Sequence, residues 1–186
     1  MPAASLVSVR FLQRLALASL LTALAGCASM SKEECLTANW TEVGTRDGQN
    51  GEPRARFASH AEACREAGVR ADQHRYMAGW ETGITYFCTP HNGFEVGRRG
   101  RYYSSGTCPP ALEGAFRYRY DRGYDIYRAQ QEVDRIQNNQ RDKQRKLDEA
   151  KDDRTKRQLR NELTDLDHDL RRARDRLYDA ERSARM

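Results

Sequence analysis

From residue 117 onward the chain has no Pro, no Cys and a single Gly, Gly123, and twenty basic side chains stand against sixteen acidic ones. A stretch without breakers, rich in Arg, Asp, Leu and Ala, is committed to helix. Ile126, Ala129, Val133, Ile136, Gln140, Lys143, Leu147 and Ala150 follow alternating spacings of three and four. Leu159, Leu163, Leu166, Leu170, Ala173, Leu177, Ala180 and Ala184 do the same, with fewer polar interruptions. Each set is a heptad seam. From 150 to 159 is nine residues, so the two seams are out of phase along one straight helix. Thr155 and Gln158 have capping-box spacing, which marks a fresh helix start. The expectation is an antiparallel helical hairpin with arms at about 117–150 and 155–184. One long helix that pairs with a second chain is the alternative. The charges alternate in sign without a block of five or six alike, which describes a solvated coiled-coil face and no nucleic-acid partner.

The other end of the chain reads as an address. Arg10 and Arg14 precede Leu15–Ala25, eleven uncharged residues rich in Leu and Ala. That is too short to span a bilayer and right for the apolar part of a secretory signal. The run closes on Leu24-Ala25-Gly26-Cys27, which resembles the bacterial lipoprotein cleavage box. The resemblance implies that 1–26 are removed and that Cys27 carries the lipid on its thiol and amine. Two or more acyl chains anchor a protein stably. Ala28 after the cysteine implies the outer membrane. Without the signal, the full chain's net charge of +5 falls to +3. A mean hydropathy of −0.93 excludes a polytopic membrane protein.

Between these ends lie a short polar tether, 27–34, and a head, 35–116, which holds both tryptophans and four cysteines. In the oxidising envelope those cysteines pair. Four allow three pairings; Cys35–Cys64 with Cys88–Cys108 is favoured, because each closes a short loop in a small head that needs bracing. Ser59–Ala67 and Ala71–Phe87 read as helices, the first capped by Ser59 with Glu62. Asp47-Gly48 and Asn92-Gly93 read as turns, and Arg101–Thr107, with two tyrosines, as a strand. Pro109-Pro110 suits the start of another helix. The expected fold class is therefore α+β: a disulfide-braced head of short helices and turns, followed by the helical hairpin.

In order, the head presents Cys35, Asn39-Trp40, Gly44-x-x-Asp47-Gly48-x-x-Gly51, His60-x-x-x-Cys64, Tyr76-x-x-Gly79-x-x-x-Gly83-x-x-Tyr86-x-Cys88, Asn92-Gly93-x-x-x-Gly97-x-x-Gly100 and Cys108. This succession, over about 35–127, resembles an uncharacterised family of bacterial lipoproteins, classed as a domain of unknown function. The resemblance implies fold and localisation and brings no catalytic residues.

Three functions are compatible with these residues. The first is a non-catalytic, outer-membrane-anchored protein facing the periplasm. It would dock an envelope protein, or itself, through Leu159, Leu163, Leu166, Leu170 and Leu177 if the hairpin leaves them uncovered. The second is a glycan-binding head that stacks sugars on Trp40, Tyr76, Trp80, Tyr86, Tyr102 or Tyr103. The third is a hydrolase built around Asp47 and His60. Hydrolase and metalloprotease motifs are absent from the sequence, and no cofactor or metal is expected.

Overall fold

The computed structural model describes residues 29–185. The signal segment and the acylation expected at Cys27 lie outside the described residues. Seven helices are described: α1 (Lys32–Thr37), α2 (Trp40–Asn50), α3 (Arg56–Glu66), α4 (Gln73–Phe87), α5 (Pro90–Arg98), α6 (Pro110–Glu149) and α7 (Asp153–Arg185). No strand occurs among the described residues, so the fold is all-α and the α+β expectation is corrected. Arg101–Thr107 is irregular backbone that ends in a turn at Gly106, φ 86°. Its two tyrosines suit a strand, but no second extended segment is there to pair with it. The expected turns at Asp47-Gly48 and Asn92-Gly93 are also absent: both dipeptides lie inside helices.

Those glycines are packing surfaces. α2 lies against α4, and the two run parallel: a Cβ on Gly44 would strike the carbonyl of Tyr76, and one on Gly48 would sit 2.6 Å from the amide nitrogen of Ile84. Gly51 ends α2 at φ 75°, under the ring of Phe87. From the other side, Gly79 and Gly83 admit the carbonyls of Thr41 and Thr45. Only glycine lets two backbones approach this closely.

α5 and α6 repeat the arrangement. Gly93, Gly97 and Gly100 meet Phe116, Tyr120 and the ring of Tyr127 as Gly44, Gly48 and Gly51 meet Tyr76, Trp80 and the ring of Phe87. Gly123 faces Phe94 as Gly83 faces Thr45. Trp80 donates its indole N–H to the carbonyl of Glu52, and Tyr120 donates its hydroxyl to that of Arg101. A disulfide flanks each pair, Cys35–Cys64 joining α1 to α3 and Cys88–Cys108 joining the C-cap of α4 to the connection before α6, the pairing favoured from the sequence. The head is thus two equivalent units, each a parallel helix pair joined by a returning connection. That connection contains α3 in the first unit and is the irregular 99–109 segment in the second. Phe87 stacks on Phe116 where the units meet, at 5.2 Å between centroids.

α6 leaves the second unit without a break, so the first hairpin arm begins at Pro110 and not near 117. α7 returns antiparallel: Gln140 donates to Asp167, Lys143 pairs with Glu162 at 2.5 Å, and Arg119 donates to the carbonyl of Ala184. Val133, Ile136, Leu170 and Ala173 form a second core, separate from that of the head. The helix start between the arms is set by Asp152, whose carboxylate accepts from the amide of Thr155.

Candidate functional site

A buried polar cluster joins three elements of the first unit. Asp47 stands on α2 one residue before Gly48, so the glycine contact presses it against α4. His60 comes from α3, held by the Cys35–Cys64 bridge four residues further on. Tyr76 comes from the first turns of α4. Tyr76 donates its hydroxyl to Asp47 Oδ2 at 2.8 Å, and His60 Nε2 lies 2.8 Å from the same oxygen. Nε2–H donates to the carboxylate, and Ser29 Oγ lies 2.9 Å from Nδ1 on the other side of the ring. Relative exposures are 7% for Asp47, 4% for His60 and 0% for Tyr76. Burial, and then the bond to Asp47, push the Tyr76 phenol well above its usual range.

Ser29, His60 and Asp47 have the composition of a nucleophilic relay, and their side-chain hydrogen bonds run to one another and to Tyr76. An acting base must reach a substrate, and a developing oxyanion needs donors beside it. Two depressions, of about 890 and 770 Å³, are lined by other residues. The first lies between Phe57 on α3 and the approach to α4, the second between α6 and α7. Cys64 is tied into a disulfide, so the His60–Cys64 pair offers no thiolate to a metal.

The other nominated residues do not converge. Trp40 and Trp80 are buried, the first edge-on to Phe57 and the second under the guanidinium of Arg54. Tyr86 and Tyr102 are exposed, and Tyr103 is half-buried against Phe116 and Tyr120. The aromatics therefore serve mainly as core, and the stacking surface set out above is not assembled. Leu159 and Leu170 are buried, Leu163, Leu166 and Leu177 are half-buried, and Leu166, Leu170 and Leu177 pack with Val133 and Ile136 of α6. The chain's own first arm covers this seam, and none of the five leucines is exposed.

Sequence reasoning missed Ser29, which it placed in the tether, and the repeat that frames the site. The repeat was present as the equal spacings Gly44/Gly48/Gly51 and Gly93/Gly97/Gly100. It recurs in Tyr76/Gly83/Phe87 and Phe116/Gly123/Tyr127.

Residues 39–125 carry a DUF2799 domain, described as a protein of unknown function. The domain starts at the N-cap of α2 and ends within α6, so it takes in both helix pairs and leaves out α1 and α7. No curated protein and no solved structure matches the chain.

Proposed function

We propose that this DUF2799-domain chain is a lipid-anchored outer-membrane protein facing the periplasm, and that it works without catalysis. Its braced head carries a helical arm to a partner protein. The observation that carries the reading is the burial of the His60–Asp47 pair, whose hydrogen bonds run to neighbouring side chains. The two disulfides support an oxidising compartment. The sequence before Cys27 supports export and acylation.

α6 and α7 run for 40 and 33 residues, lengths of about 60 and 50 Å. With the leucine seam used internally, a partner meets the charged outer faces or the connection at 150–152. Such a contact weakens as salt rises.

Fractionation and intact mass of the mature chain test the anchor. A membrane-bound form starting at an acylated Cys27, lost in Cys27→Ala, is expected; a soluble, unacylated wild type overturns it. Photocrosslinking from exposed positions such as Arg157, Arg160 and Arg171 tests the arm. An adduct to one defined protein supports docking. Adducts to its own kind alone make it a self-assembling arm, and none at all overturns the arm's role.

A further inference from the structure

The two units of the head differ in a way that their shared architecture does not demand. In the second unit the position of Asp47 is taken by Val96 and that of Tyr76 by Phe116, both buried. The 99–109 connection contains no helix to supply a counterpart of His60. The second unit thus makes the same parallel glycine contact with an apolar pair. Burying a carboxylate is costly unless it is well paired, so packing alone does not explain Asp47.

What the first unit has in addition is the N-terminal segment. Ser29 reaches His60, and Met30 is buried in the head core beside it. Ser31 caps α1, and Cys35 on α1 is bridged to Cys64 on α3. The segment is held at both ends, and what was expected to be a tether is docked from Ser29 onward.

We propose that Asp47, His60 and Tyr76 form a docking site for the chain's own N-terminal segment. The ligand group is the hydroxyl of Ser29, and Met30 is the apolar plug. Asp47 orients the imidazole, Tyr76 meets part of the carboxylate's demand for donors, and Nδ1 holds the hydroxyl of Ser29. A carboxylate in place of Ser29 would bring a second negative charge towards Asp47. Cys27 is two residues from Ser29, a reach of at most about 7 Å. On the lipid-anchor reading given above, the head is then held at the membrane surface with no slack. That consequence rests on the anchor; the docking does not.

Hydrogen exchange on the full-length chain, purified in detergent, reads the docking directly. Ser29→Ala should speed exchange over 29–35 tenfold or more and leave α2 and α4 unchanged. Ser29→Thr should restore protection. The triple variant Asp47→Val, His60→Leu, Tyr76→Phe puts the second unit's own residues at positions 47 and 76. It should keep both disulfides and release the same segment. Unchanged exchange over 29–35 in Ser29→Ala overturns the proposal. So does equal acceleration across α2 and α4, which would make the cluster part of general packing. If the triple variant fails to form both disulfides, the two Ser29 variants decide. Intact mass on the same samples separates the two readings: an unacylated chain with a protected segment fails the anchor alone, and an acylated chain with an open segment fails the docking alone.

Discussion

Tyr76 is fully buried, with its hydroxyl donated to a carboxylate, and this sets the sign of its response to pH. Burial first, and the bond to Asp47 second, hold its ionisation well above the ordinary phenol value of about 10. The folded chain keeps this proton where the unfolded chain gives it up. The stability it contributes is whole below about pH 10 and declines as pH climbs beyond that, because the unfolded state then binds fewer protons. Tyr103 is displaced the same way, burial again being the first cause. The melting temperature should therefore fall as pH rises above about 10, and more gently in Tyr76→Phe. At pH 8 the same substitution should lower stability by about 1–2 kcal/mol, for the lost bond to a buried carboxylate. An equal alkaline slope in both proteins would show that Tyr76 ionises freely in the folded state.

At the scale of helices, glycines divide into those that separate two backbones and those that do not. A Cβ at Gly83 would overlap the carbonyl of Thr45, and α2 cannot yield without losing its contacts with α4. Gly114, on α6, has nothing near its missing Cβ. Gly83→Ala should destabilise by about 2–3 kcal/mol or more, and Gly114→Ala should stabilise by about 0.5–1 kcal/mol, read from urea midpoints. Equal effects would remove the parallel glycine contact as the organising feature of the head.

The same distinction explains what was legible in the sequence. The arms of the hairpin were, because a heptad seam is a local pattern whose partner is a second heptad seam. The disulfide pairing was, because four cysteines in a small head leave few choices. The glycine contacts were not: Asp-Gly and Asn-Gly are turn signals by propensity, and only pairing with another helix turns Gly44/Gly48/Gly51 into a face. Asp47 and His60 were singled out, and they do meet. What they meet was hidden, since Ser29 lies 31 residues before His60 and no local pattern links them.

At the scale of the molecule, one helix runs through two cores. Phe116 and Tyr120 on α6 belong to the head core, and Val133 and Ile136 on the same helix belong to the hairpin core. Both disulfides and both tryptophans are in the head. The hairpin has neither and rests on a narrow seam with a polar middle, where Gln140 meets Asp167 and Lys143 meets Glu162. The two parts should therefore unfold separately, and two probes can tell them apart. Tryptophan fluorescence follows the head alone, and the helical circular dichroism signal follows both. Leu170→Ala removes a buried side chain from the hairpin core and should cost about 2–4 kcal/mol there. It should lower the circular dichroism transition and leave the fluorescence transition in place. Reduction of the disulfides removes about 3–4 kcal/mol per bridge from the head and should do the reverse. If both probes move together under both treatments, α6 couples the cores into one cooperative unit, and the hairpin is then not an arm carried by the head but an extension of its fold.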